Sequence, residues 1–190
     1  MAKLVTVIVT NKNLMDMRKS IFILSALMAF LFAGNLFAQQ DQGNSVKELE
    51  KGDPIPEFVL ESSVYGNLQT SDLKGKVVLV SLFATWCGPC QVELADVQKH
   101  LWPKYKDNKE FKLIVIGREH TDEELSKYNE KKGFTFPLYP DPERKAYSKF
   151  AQSTIPRAYL FGKDGKLIHS SVGYKPGDVE KILKLIDEAL

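Results

Sequence analysis

The sequence predicts an α/β fold, a central mixed β-sheet flanked by helices, with an N-terminal β-hairpin extension. Two runs, 77–83 (VVLVSLF) and 112–117 (KLIVIG), are continuous and β-branched rather than alternating, the pattern of strands covered on both faces. Apolar residues at helical spacing lie between and after them, and strands joined through a helix should run parallel. Nearer the C-terminus, Lys163-Asp164-Gly165-Lys166 separates two further strand-like runs, a strong hairpin signal that adds antiparallel strands to the same sheet. At 190 residues, 44% apolar and 26% charged, the chain is long enough for one compact domain and too short for two large ones.

Residues 1–16 precede a natural-looking start at Met17 and read as an extension from a mis-assigned initiation codon, outside the fold. From Met17 the chain runs MRKS and then 18 residues without a charge, closing on Ala38 ahead of Gln39, Gln40 and Asp41. Residues 17–38 thus follow the grammar of a secretory signal peptide. Leu36 sits where a small residue is preferred before cleavage, and the apolar stretch barely reaches bilayer-spanning length, so an uncleaved membrane anchor is the alternative. No cysteine ends the leader, which leaves a lipoprotein anchor without an attachment point. Export would place the remainder in a periplasmic or otherwise extracytoplasmic space, where paired cysteines can form a disulfide. The formal charge of +2 resides in this leader, where Lys3, Lys12, Arg18 and Lys19 face only Asp16. The rest carries 22 bases against 23 acids, so no basic field argues for nucleic acid.

Residues 39–51 are polar and read as a solvated linker, so the folded domain is expected over 52–190, starting near Gly52-Asp53-Pro54. Phe58-Val59-Leu60 and a return over 67–70 make the hairpin, turning at Tyr65-Gly66-Asn67. The chain then enters the strand 77–83. After Cys87, the residues Val92, Leu94, Val97, Leu101 and Trp102 recur at helical intervals, with Pro89 early, where a missing N–H costs nothing, and Pro103 as an end or kink. Beyond the strand 112–117, Thr121-Asp122-Glu123-Glu124 has the form of a capping box opening a helix to about Lys132. Residues 144–150 read as a short helix, and 157–161 with 167–172 as the C-terminal hairpin strands. Val179, Ile182, Leu183, Ile186 and Leu190 give the tail the apolar stripe of an amphipathic helix.

Only two cysteines are present, Cys87 and Cys90, which excludes a multi-bridge scaffold and a self-contained four-cysteine zinc site. Cys87 falls where a strand ends and a helix begins, so the free N–H groups there favour its thiolate and make it the expected nucleophile. Cys90 lies three residues on in the same first turn, within disulfide reach and turned toward the interior, placed to resolve a mixed disulfide. A permanent staple closing so small a loop would restrict the unfolded chain little. Zinc would need two more ligands, and His100, His120 and His169 do not stand at finger-like spacing. The expected working group is therefore the redox-active Cys87-Cys90 disulfide itself, with no metal and no organic cofactor. The three histidines are assigned to the surface, Asp141-Pro142 to a turn and Asp122-Glu123-Glu124 to a helix start.

The string Phe83-Ala84-Thr85-Trp86-Cys87-Gly88-Pro89-Cys90, following its strand, resembles the active-site segment of the thioredoxin superfamily. The leader, the Leu73-Lys74-Gly75-Lys76-Val77-Val78 stretch and Glu93 narrow the resemblance to its exported TlpA/ResA-like thiol-disulfide oxidoreductases (redoxins), over roughly residues 52–190. The resemblance implies a thioredoxin-like fold. It implies Cys87 as the attacking thiol, Cys90 as the resolving thiol, Gly88 and Pro89 between them, and Trp86 as the aromatic that shields the first sulfur. Ile155-Pro156 resembles the loop whose cis-proline faces the cysteines, with the Ile155 backbone free to pair with an extended substrate peptide. Thioredoxins proper carry an aspartate six residues before the first cysteine, where this chain has Ser81. Glu93 is the candidate replacement, a partly buried carboxylate of raised pKa exchanging protons with the thiols; the alternative is a solvated first-turn glutamate. Leu94-Ala95 in place of Met-Pro, and Arg157 in place of threonine, bear on substrate preference.

Three functions fit these residues. The first is a cell-envelope protein-disulfide reductase that acts on disulfide-containing client proteins through a mixed disulfide and is recharged by a membrane thiol donor. Its Gly-Pro dipeptide resembles the reducing end of a range running from about −270 mV to about −120 mV. The second is a thiol peroxidase of the peroxiredoxin type, which would want a threonine where Ala84 stands. The third is a non-catalytic client-binding module with a structural disulfide. The first is expected, in a monomer with no nucleic-acid partner.

Overall fold

The computed structural model describes residues 48–190, so the extension 1–16, the leader 17–38 and the linker up to residue 47 lie outside the described residues. An antiparallel hairpin comes first, β1 (Val59–Leu60) with β2 (Leu68–Gln69). Its connection over 61–67 is longer than the three-residue turn expected, and Gly66 takes the left-handed conformation (φ 76°) that brings the chain back. A 3₁₀ turn, Thr70–Leu73, leads into the main sheet.

Five strands build that sheet: β3 (Val77–Phe83), β4 (Phe111–Arg118), β5 (Leu138–Asp141), β6 (Arg157–Phe161) and β7 (Leu167–Val172), in the order β5-β4-β3-β6-β7. β3, β4 and β5 run parallel, while β6 opposes β3 and β7 opposes β6, the mixed arrangement anticipated. Every residue of β3 is buried, which explains why its sequence shows no alternation. The alternation survives in which core each side chain joins. Val77, Leu79 and Phe83 pack with Cys87, Cys90 and Leu94, whereas Val78, Val80 and Leu82 pack with the hairpin residues Phe58, Leu60 and Leu68. Odd-numbered β3 residues therefore face the cysteines, and Ser81 is one of them.

The helices are α1 (Gly88–Asp96), α2 (Trp102–Tyr105), α3 (Asp122–Lys132), α4 (Tyr147–Phe150) and α5 (Asp178–Ala189). A π-helical turn, Val97–Leu101, joins α1 to α2, closed by the Trp102 N–H on the Val97 carbonyl. Pro103 does not end the helix, because the wider turn just before it absorbs a residue that has no N–H to donate. α3 matches its expected bounds: Thr121 and Glu124 exchange side chain-to-backbone hydrogen bonds, and Gly133 (φ 69°) ends it in the left-handed conformation. α5 buries Val179, Ile182 and Ile186.

Three expectations are corrected. The sequence reading assigns no strand to 138–141; β5 stands there as an edge strand that runs into the turn expected at Asp141-Pro142, and Pro140 is tolerated because one side of the strand needs no partner. The helix expected over 144–150 is confined to Tyr147–Phe150, because Arg144 sits at φ 58°, outside helical space. Packing also begins before Gly52: Leu49 packs against the hairpin-side core, and Glu48 lies 2.8 Å from the buried Arg157 guanidinium.

Candidate active site

β3 delivers the chain through Ala84, Thr85 and Trp86 to Cys87, which caps α1 with extended backbone angles (φ −87°, ψ 106°). Cys87 and Cys90 are joined as a disulfide with Cα atoms 5.3 Å apart. The Cys90 N–H points at the Cys87 Sγ, 3.2 Å away. On reduction the same N–H, together with the helix dipole, would stabilise a thiolate at Cys87. Cys90 is fully buried, whereas Cys87 retains 6% exposure. Of the two sulfurs, that of Cys87 is the one on the surface side. Nothing packs where a side chain on Gly88 would stand, and Pro89 occupies the first helical turn, which needs no donor from it. The mouth of the helix is thus open to an approaching chain.

Trp86 stands 64% exposed beside this mouth, with the Arg118 guanidinium 5.8 Å from its ring centroid. Arg118 also lies over the Tyr147 ring at 5.0 Å, a cation–π arrangement that joins the end of β4 to the site. The Ile155-Pro156 peptide is cis. Pro156 is buried and immediately precedes Arg157, which pairs with Leu82 near the end of β3. Ile155 is half-buried and packs against the core that contains both cysteines. Arg157 fixes the stretch before it, donating to the carbonyls of Ser153 and Thr154.

Below the disulfide, Glu93 lies one helical turn after Cys90 and is 5% exposed. It is not the solvated first-turn glutamate that was the alternative. Burial pushes its pKa up to about 7; the Ser81 hydroxyl, donating to Oε1 at 3.0 Å, pulls the other way, and the charge of Asp178 adds to the rise. A carboxyl that titrates near neutrality can take a proton from a thiol and return it. Ser81 occupies the cysteine-facing side of β3 because of its odd position, so the two departures from the thioredoxin pattern meet in one hydrogen bond. Among the described residues no group of His, Cys, Asp and Glu side chains could hold a metal ion.

The sequence reading missed residues that hold the site from outside. His120, expected at the surface, is 7% exposed, and its Nε2 accepts the Thr85 N–H at 3.0 Å. Gln91 donates to the Thr85 carbonyl at 2.9 Å and is itself held by Lys132. No local pattern marks His120 or Lys132, because the segment from β4 through α3 brings them to Thr85 and Gln91 from 35 and 41 positions away.

A model of the AhpC/TSA family matches residues 51–170. Thiol-disulfide oxidoreductase ResA of Bacillus anthracis is 28% identical over 153 residues, covering 80% of this chain and 84% of its own. ResA of Bacillus subtilis (strain 168) is 25% identical over 162 residues, 84% of this chain and 88% of its own. Among solved structures, a protein disulfide isomerase-like protein from Bacteroides thetaiotaomicron superposes with a TM-score of 0.70 at 30% identity, covering 75% of this chain and 91% of its own. A DsbE-like thiol:disulfide interchange protein from Chlorobium tepidum gives 0.67 at 27% identity, with 75% and 99% covered.

Proposed function

The chain belongs to the AhpC/TSA family, and from that premise we propose that this thioredoxin-like thiol-disulfide oxidoreductase reduces disulfides of client proteins outside the cytoplasm. The observation that carries the reading is the exchangeable pair itself: Cys87 at an open helix mouth, Cys90 fully buried behind it, and a near-neutral carboxyl one turn below. Residues 17–38 act as the signal that exports the chain, and Cys87 and Cys90 as its catalytic thiols.

In the reduced enzyme the Cys87 thiolate attacks one sulfur of a client disulfide. A Cys87–client bond forms, and the other client sulfur leaves as a thiolate. Cys90 gives its proton to Glu93 and attacks the Cys87 sulfur, which releases the second client thiolate and closes the Cys87–Cys90 disulfide. Two electrons have passed to the client, and two protons, one of them through Glu93, complete its thiols. A membrane thiol donor reverses the exchange and reloads the pair. The backbone of Ile155, ahead of the cis Pro156, pairs with an extended client segment, and Trp86 supplies an exposed apolar wall at the mouth of the helix. Peroxide fits less well, since buried Ala84 supplies no hydroxyl three residues before Cys87.

Insulin reduction with a chemical thiol donor tests the reading. Wild type should accelerate it and Cys87→Ser should abolish the acceleration, while Cys90→Ser should trap a mixed disulfide whose client mass spectrometry identifies. A reduction potential near about −120 mV, rather than near about −270 mV, would remove the reductase direction.

A further inference from the structure

We infer that His120 is a positioning residue for this reaction: by accepting the Thr85 N–H it holds the segment that sets Cys87 at the mouth of α1. The inference rests on the oxidoreductase reading above and deepens it. Three observations carry it. His120 is buried, and its Nε2 lies 3.0 Å from the Thr85 nitrogen with the N–H aimed at it, and 3.3 Å from the Thr85 hydroxyl. The accepting Nε2 must therefore carry a lone pair, which leaves Nδ1 as the nitrogen that bears a ring proton. Nδ1 makes no hydrogen bond; the nearest acid, Glu124 of α3, is 3.7 Å off and spends its carboxylate on the Thr121 N–H at 2.8 Å. Thr85 is thus the hydrogen-bond partner of the ring, and the Glu124 carboxylate is its charged neighbour on the Nδ1 side.

The backbone around His120 is arranged to put the ring there. Glu119 turns at φ 63°, its N–H bonds the Asp141 carbonyl at 2.9 Å, and the His120 N–H returns to the Gly117 carbonyl at 3.3 Å. On the other side, Gln91 holds the Thr85 carbonyl, so both polar groups at this residue are fixed from outside the loop. Two residues later Cys87 must keep extended angles for its sulfur to receive the Cys90 N–H. A slack Thr85 loosens that alignment, and the contact that favours the Cys87 thiolate weakens with it.

The test uses the signal-free protein with its disulfide reduced or oxidised as needed, and three substitutions. His120→Gln keeps an acceptor at comparable reach, His120→Asn shortens it, and His120→Leu removes it. Leu should lower kcat/KM for insulin reduction about tenfold, the equivalent of one buried hydrogen bond lost, and should move the pH profile of Cys87 alkylation in the reduced protein upward. Gln should stay within about twofold on both readouts. Should Leu fail to fold, Asn carries the same expectation as Leu. A Leu or Asn variant with the wild-type rate and alkylation profile overturns the inference, as does a folded Gln variant no better than Leu. Cys87→Ser run in parallel separates the two levels: if wild type reduces insulin no faster than that variant, the oxidoreductase reading fails, while the alkylation profile still decides the role of His120.

Discussion

Two carboxylates in this molecule are held by serine hydroxyls, and their acidities move in opposite directions. Glu93, below the disulfide, receives one hydrogen bond, from Ser81, and its pKa rises to about 7 because burial outweighs that single donor. Asp122, at the start of α3, receives three, from the Ser62 hydroxyl and from both the N–H and the hydroxyl of Ser63, at 2.7, 2.7 and 2.8 Å. Burial would raise Asp122 too, but the three donors together lower it. The number of donors against the loss of water decides whether a carboxyl is a permanent anion or a proton store. Asp122 staples the 61–67 connection of the hairpin to α3, whereas Glu93 is left short of partners beside the thiols.

The largest effect should come from Glu93→Gln. Its loss should lower insulin reduction about a hundredfold at pH 8 and flatten the step near neutrality in the pH–rate profile. Stability should change in the other direction. A carboxyl whose folded pKa lies above its ordinary 4.5 makes the folded state bind the extra proton, so stability falls as pH rises from about 4.5 to about 7 and stays low above that. The penalty in wild type is on the order of 3 kcal/mol above pH 7. Urea unfolding should therefore find Glu93→Gln more stable than wild type at pH 8 and alike at pH 4.5. A variant less stable at pH 8 would mean that Glu93 is a satisfied ion rather than a strained one.

Ser81→Ala removes the one donor and sharpens the same contrast. The Glu93 pKa should climb further, moving the kinetic step to higher pH, and stability at pH 8 should fall by about 2 kcal/mol, with a smaller loss at pH 5, where the carboxyl is neutral. Asp122→Ala should cost about 1 kcal/mol at pH 7 through three partly exposed hydrogen bonds, and should leave insulin reduction unchanged. Because the Asp122 pKa is depressed below 3.8, its contribution is present above that value and disappears as pH falls through the folded value, so the two proteins should converge in acid.

How much of this was legible in the sequence follows the range of the interaction. The strand Val77–Phe83, the Thr121–Glu124 capping box and the Lys163–Lys166 hairpin turn depend on neighbours, and each could be read in order. The family string around Cys87 located the site, and Glu93 was legible as a candidate because it sits one turn from Cys90. Its burial was not, since that depends on β3 facing α1 with Ser81 inward. β5 is hidden because Pro140 argues against a strand and the turn at Asp141-Pro142 follows at once; only its place at the sheet edge makes Pro140 tolerable. The burial of His120, and the hold that Asp122 takes on the hairpin beyond its helix-start position, are not legible because their partners, Thr85 and Ser62 with Ser63, lie 35 and about 60 residues away. The left-handed Arg144 carries no signal of its own, since arginine is not a residue that favours that conformation.

The smallest effect is the most discriminating control on the comparison. Glu123 stands next to Asp122 in the same first turn of α3 and meets the same positive end of the helix dipole, but it pairs with Lys127, one turn on at 2.6 Å, with both side chains well exposed. The hydrogen bond from Lys127 lowers its pKa, yet a solvated pair of this kind spends in side-chain entropy most of what it gains. Glu123→Ala should therefore leave the unfolding midpoint and insulin reduction at wild-type values, in low salt and in high. If it destabilises as much as Asp122→Ala, the dipole rather than the three serine-derived donors explains Asp122, and counting donors no longer accounts for the divergence of Asp122 from Glu93.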